Sequence, residues 1–131
     1  MAGWYLFQTR RLVKIRLDKL DILFSKYVRT KAGWRCERCG NTPKPRGLHC
    51  HHFHRRRKKS TRYDEDNCIA LCRGCHQYLG ENRDEEEALM VQRLGQERFD
   101  LLNVRAEILV KPDREAIRLY IKNKLRELDG D

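Results

Sequence analysis

Cys36-Glu37-Arg38-Cys39 and, after 32 intervening residues, Cys72-Arg73-Gly74-Cys75-His76 bracket the run Leu48-His49-Cys50-His51-His52-Phe53-His54, and the reading of this stretch decides the fold. Each Cys-x-x-Cys can form a knuckle whose two thiolates point at one ion. Two such knuckles complete the closed tetrahedral shell of four thiolates that structural zinc prefers, so Cys36, Cys39, Cys72 and Cys75 are read as its ligands. A pair of disulfides and a redox Cys-x-x-Cys are the rivals. A redox site needs only one pair and a thioredoxin-like setting, which the sequence lacks. Cys50 and Cys68 fall outside the spacing and read as small buried apolar residues.

Between the knuckles, residues 40–47 carry turn chemistry, residues 48–54 read as a short strand, and residues 55–66 as a loop that is basic first and acidic last. Asn67-Cys68-Ile69-Ala70-Leu71 reads as a second short, buried strand, and the second knuckle leads into a short helix through His76, Tyr78 and Leu79. Upstream, Leu17, Leu20, Leu23, Phe24, Tyr27 and Val28 recur at helical spacing and predict an amphipathic helix of about three turns, ended by Gly33. Downstream, Asp84-Glu85-Glu86-Glu87 reads as a helix start. Asp84 would be its N-cap, and the acids would answer the helix dipole. Ala88, Leu89, Val91 and Gln92 continue this helix to Gly95, and another helical stretch runs through Phe99, Leu101 and Leu102. The last helix opens at Pro112-Asp113, with Ile117, Tyr120, Ile121, Lys124, Leu125 and Leu128 as its inner stripe. Residues 4–15 leave strand and helix open. Trp34, Phe53 and Tyr78 read as core, and Tyr63 as more exposed. The expectation is an α+β fold in one domain over residues 1–131, with an N-terminal helical arm (1–35), a core (36–83) and a C-terminal helical region (84–131).

The 131 residues are 40% hydrophobic and 37% charged, too polar for a membrane protein and too apolar for a disordered tail. No run approaches the ~18 apolar residues of a spanning helix. The apolar patch Trp4-Tyr5-Leu6-Phe7 precedes Arg10-Arg11, the reverse of a secretory signal, so a cytoplasmic protein with reduced thiols and no membrane partner is expected. The net charge of +10 is uneven. Residues 1–37 carry nine basic and three acidic side chains, residues 38–63 nine basic and none acidic, and residues 64–131 eleven basic and sixteen acidic. A central block without a carboxylate is a candidate polyanion site, and nucleic acid is the commonest polyanion. A solvated basic loop is the plainer alternative.

Four of the five histidines lie within residues 49–54, and the fifth, His76, follows Cys75. Surface imidazoles could merely add phosphate affinity, or two could hold a divalent ion while a third removes a proton from water. The order Cys-x-x-Cys, His51-His52, Asn67, Cys-x-x-Cys-His76 resembles the HNH nucleases, in the zinc-knuckle branch common in phages and mobile elements. The resemblance spans residues 36–82, about a third of the chain, and leaves the flanking helices uncovered. Residues 52–56 and 66–68 are also similar to phage HNH proteins of the recombination type, a weaker likeness.

This resemblance implies a ββα-metal core: a hairpin packed on a helix around one catalytic divalent ion (Mg2+, Mn2+, Co2+, Ni2+ or Zn2+). It implies that His52 is the general base, that His51 and His76 ligate the catalytic ion, and that Asn67 pins the loop and helps to orient the base. His51 stands where an aspartate is commoner, and imidazole favours Zn, Ni, Co or Mn over Mg. Gly80 occupies the position where some members place a further ligand. His49, on the same strand face as His51, is the spare imidazole. His54 is expected to meet phosphate or solvent.

A neutral imidazole can accept a proton from an attacking water only if its other nitrogen is held, and a backbone carbonyl could hold it. Arg55, Arg56, Arg57, Lys58, Lys59 and Arg62 would grip the phosphate backbone of DNA without reading sequence. The expectation is a metal-dependent endonuclease hydrolysing DNA phosphodiesters, most simply by a nick. The alternatives are a noncatalytic zinc module that binds nucleic acid and a zinc-ribbon interaction domain. The acidic C-terminal third could dock a partner, shield the site from nonspecific DNA or form a homodimer through the Ile117–Leu128 stripe, but a solvated face with ordinary core packing is the preferred reading.

Overall fold

The computed structural model describes residues 16–44 and 47–130. The expectations for residues 4–15, and part of the turn at 40–47, lie outside the described residues. In chain order the elements are α1 (Lys19–Lys31), β1 (Leu48–His52), β2 (Cys68–Cys72), α2 (Arg73–Glu81), α3 (Arg83–Leu94), α4 (Gln96–Ala106) and α5 (Arg114–Leu128), with a 3-10 turn at Glu65–Asn67 before β2. The fold is α+β, as expected.

A capping box sets the start of α1. The Asp18 side chain accepts the Asp21 N–H at 3.0 Å, and the Asp21 carboxylate accepts the Asp18 N–H at 2.9 Å. Leu20, Phe24, Tyr27 and Val28 are buried, as the periodicity predicts, but Leu17 lies ahead of the cap and is exposed. The helix ends through Gly33 (φ 68°) and Trp34 (φ 59°), whose N–H groups bond the Thr30 and Arg29 carbonyls. Left-handed backbone suits glycine and is costly for tryptophan. Trp34 packs against the core edge with the Arg29 guanidinium 5.0 Å from its ring.

β1 and β2 pair antiparallel, with His51 opposite Ile69 and His52 opposite Cys68. The first strand stops at His52 rather than His54, because the chain turns away into the long loop at Phe53. Asn67 belongs to the 3-10 turn rather than to β2. The first knuckle docks on the outer edge of β2: the Glu37 N–H bonds the Ala70 carbonyl at 2.8 Å, and the Glu37 carboxylate takes the Ala70 N–H at 2.7 Å. That edge is therefore covered. α1 and α2 both pack on the hairpin. Strand alternation turns His49 and His51 toward α2, and Cys50 and His52 toward α1.

Several expectations need correction. Asp84 does not cap α3, which begins at Arg83 without a side-chain cap. Tyr78 is exposed, its ring beneath the Arg38 guanidinium and its hydroxyl bonded to Glu85. Tyr63 is half-buried and meets Phe24 edge to face, so it is more enclosed than its charged neighbours suggest. The start of α5 is as expected, with Asp113 capping the Ala116 N–H. Of its stripe, Ile121 is buried, Ile117 and Leu125 pack on the core, and Tyr120 and Leu128 are exposed. The stripe considered for a homodimer is thus largely covered within the chain, where α5 packs on α1.

Candidate metal and nucleic-acid site

The four knuckle sulfurs lie within 4.8 Å of one another. Cys39 Sγ and Cys72 Sγ are 3.8 Å apart, close to the roughly 3.8 Å edge of a tetrahedron with ~2.3 Å zinc–sulfur bonds. Backbone shapes each knuckle. Gly40, at φ 79°, lets its N–H reach the Cys36 carbonyl at 3.0 Å. The Cys39 N–H donates to Cys36 Sγ and the Cys75 N–H to Cys72 Sγ, both at 3.5 Å. Burial works against a thiolate at Cys36, but the N–H groups of Cys39, Cys72 and Arg38 outweigh it and bring the thiol down to about 6. The cluster can hold a structural metal such as zinc.

Cys50 and Cys68 are buried, as expected, and with His52 they form a second group whose ligand atoms lie within 4.8 Å of one another. Burial pushes the Cys68 thiol well up, so as a free thiol it stays protonated and packs as a small apolar residue.

A cleft of about 1060 Å3 opens between α1, β1 and α2. His49, His51, His52 and His76 line it together with Arg29, Arg55 and Arg56. Within it the Nδ1 atoms of His51 and His76 are 2.8 Å apart. An ion bonded to both at ~2.1 Å would hold them roughly 3.0–3.4 Å apart, so the pair fits a divalent ion after a shift of a few tenths of an ångström. His49 stacks parallel on His76 with ring centroids 5.1 Å apart. Burial, and then the neighbouring His51 and His49, push His76 down to about 4, so its ring is neutral at pH 7.

His52 Nε2 bonds the Arg62 carbonyl at 2.9 Å, and its Nδ1 is buried without a hydrogen-bond partner. Burial, and then the positive charge of Arg56, push this imidazole down to about 4. Asn67 is fully buried and pins the loop at both ends. It accepts the His54 N–H at 2.8 Å and donates to the His54 carbonyl at 2.9 Å and the Thr61 carbonyl at 3.0 Å. Thr61 precedes Arg62, so Asn67 also sets the carbonyl that holds His52.

The basic residues divide by their bonds. Arg62 is an internal tie rather than a surface cation, because Asp21 takes it in a buried two-pronged ion pair. Arg55 bonds Glu86 at 3.2 Å, and Lys58 bonds Glu107 at 2.9 Å. Arg56 borders the cleft with a buried Nε that lacks a partner. Among the described residues, Arg57 and Lys59 are exposed and pair with no carboxylate. His54 differs from expectation: its Nε2 bonds the Asn103 side chain of α4 at 2.8 Å.

Sequence reasoning missed Glu86. It is fully buried, bonds His51 Nε2, and takes Arg83 at 2.8 Å. Burial works against its charge, but the bonds from His51 and Arg83 hold its carboxyl below the usual range. The available signal was spacing: Glu86 lies four and eight residues before Met90 and Leu94, on the stripe of α3 that faces the core.

No curated protein and no solved structure matches the chain. The family described as the bacteriophage lambda NinG protein has a model that matches residues 10–131, and that span contains every residue of the knuckles and the cleft. The chain belongs to the bacteriophage lambda NinG family.

Proposed function

We propose that this protein is a metal-dependent endonuclease of the HNH type, which hydrolyses DNA phosphodiester bonds in the cleft between α1, β1 and α2. The observation that carries this reading is the 2.8 Å approach of His51 and His76, one from the hairpin and one from the helix after it, in a cleft bordered by arginines. The hairpin and α2 would then be the ββα-metal core, and His51 and His76 its ligands for a divalent ion.

When bound, that ion supplies Lewis-acid stabilisation of charge on the phosphate and on the leaving oxygen. The chain's own residues do the rest. The Arg62 carbonyl accepts the proton of His52 Nε2, which leaves Nδ1, buried and without a partner, as the nitrogen that would take a proton from a water brought in beside it with the substrate. Asn67 keeps that carbonyl in place through Thr61. Arg56, at the border of the cleft, and the exposed Arg57 and Lys59 hold the phosphates on either side of the scissile bond. Structural zinc at the four cysteines braces the end of the hairpin where Leu48 pairs with Cys72.

The test is nicking of supercoiled plasmid with Mg2+, Mn2+, Co2+, Ni2+ or Zn2+, comparing wild type with His52→Ala at equal zinc content. General-base catalysis supplies ~10²–10⁴-fold, so the variant should lose that much cleavage while keeping DNA affinity. Equal nicking by both proteins removes the base assignment. Salt-sensitive binding without cleavage under every metal makes the protein a noncatalytic zinc module instead.

A further inference from the structure

We propose that Glu86 is the positioning residue of the metal site: its carboxylate fixes the tautomer of His51 and so presents Nδ1 to the ion. This rests on the nuclease reading for its purpose, but not for its geometry. A carboxylate accepts hydrogen bonds and cannot donate them. The contact between Glu86 Oε2 and His51 Nε2 therefore places the imidazole proton on Nε2. The lone pair of a neutral His51 then lies on Nδ1, the atom that faces His76. A ring of the opposite tautomer would direct an N–H at the ion.

Three features assign Glu86 to this task. It is fully buried, which an unpaired carboxylate does not tolerate. Its other bonds go to Arg83 and Arg55, which balance its charge and hold it in line with the ring. It also comes from α3, outside the hairpin and α2, so a separate element aligns the ligand. Partners of this kind orient metal-bound histidines, and their loss typically costs 10–100-fold in metal affinity. Arg55 is drawn into the same arrangement, since its guanidinium also bonds the His52 carbonyl. Its cation therefore serves the site's geometry, and the free cations of the loop are its neighbours.

The experiment uses the full chain with its structural zinc in place. Nitrogen-15 NMR of the histidine rings, with His51 assigned by its loss in His51→Gln, reports the tautomer directly. Calorimetric titration with Mn2+ or Ni2+ reports affinity. Wild type should show His51 protonated on Nε2. Glu86→Leu, which removes the acceptor, should show mixed tautomers and a divalent affinity lower by about 10–100-fold. Glu86→Gln should lower affinity at least as much and favour the Nδ1–H tautomer, because two arginines draw its amide oxygen and leave the NH2 to donate to Nε2. Arg83→Gln breaks the ion pair but spares the His51 contact, so it should lower the melting temperature and leave tautomer and affinity close to wild type. An unchanged tautomer in Glu86→Leu, or an equal loss of affinity in Arg83→Gln, overturns the assignment. If His51→Gln binds the divalent ion as well as wild type does, the metal-site reading fails. The tautomer alone then decides the role of Glu86.

Discussion

Asp21 of α1 and Arg62 of the loop form a two-pronged ion pair, with Nε to Oδ1 at 2.9 Å and a terminal nitrogen to Oδ2 at 2.6 Å, and the Arg62 backbone carbonyl holds the ring of His52. Asp21 also completes the capping box of α1. One carboxylate therefore joins the start of a helix to the orientation of the candidate base.

Replacing Asp21 by Asn should cost about 3 kcal/mol in urea unfolding, because a largely buried guanidinium loses its counter-charge. Burial alone would raise the Asp21 carboxyl, but the Arg62 guanidinium and the Asp18 backbone outweigh it and hold it below the usual range. The unfolded chain binds this proton more readily than the folded one. The contribution is therefore complete above the ordinary carboxylate value of about 3.9 and fades as pH falls through the lower folded value. Wild type should show this acid-limb loss of stability, and Asp21→Asn should show a flatter limb. Parallel acid limbs in the two proteins would count against the pair.

Asn67→Asp keeps the acceptor for the His54 N–H but strands the carbonyls of His54 and Thr61. The expected loss is about 2–4 kcal/mol. On the nuclease reading, plasmid cleavage should fall further than DNA affinity, because the loop that positions the Arg62 carbonyl slackens. A variant that folds and cleaves normally would remove Asn67 from the argument.

Metal at the four cysteines should be needed for the fold. Titrating a strong chelator should release one zinc per chain together with a cooperative loss of helical circular dichroism. Cys75→Ser should purify without that zinc or fail to fold, while Cys50→Ser should keep it. Zinc retained in full by Cys75→Ser would move the structural site elsewhere.

The loop cations should separate by salt dependence. Arg57→Ala together with Lys59→Ala should lower the slope of log affinity against log salt by roughly 2, at ~0.9 per duplex phosphate contact. Arg62→Gln should weaken stability and leave the slope near that of wild type, because its charge is spent on Asp21. An unchanged slope in the double variant would place the DNA track elsewhere.

The knuckles and the hairpin strands were legible because each rests on local chemistry: ligand spacing and a short buried apolar run. The meeting of His51 and His76 was implied by the resemblance to the HNH nucleases and not by any local pattern. Glu86 was not. Acids in the first turn of a helix ordinarily answer the dipole, and only packing against the hairpin shows that one of them is inside. Arg62 was misread for a similar reason. It sits in a basic run, and its partner Asp21 lies 41 residues earlier, on another element. His54 was given to phosphate or solvent because Asn103 belongs to a helix whose placement no local pattern reveals. Tyr78 was placed inside on its neighbours' account, yet its helix turns it outward to Arg38 and Glu85.

Glu65, in the turn just before Asn67, accepts from Tyr27 and Lys31 of α1 and from Tyr120 of α5, and Arg114 reaches back to Asp18. During synthesis the hairpin and both knuckles leave the ribosome well before residues 114–128 do. Contacts of such long range form last and slow folding. A nascent chain can therefore gather its cysteines early, but the latch between first and last helix closes only once α5 has been made, so the wall that α1 gives the cleft is fixed after the cleft's own residues have been translated.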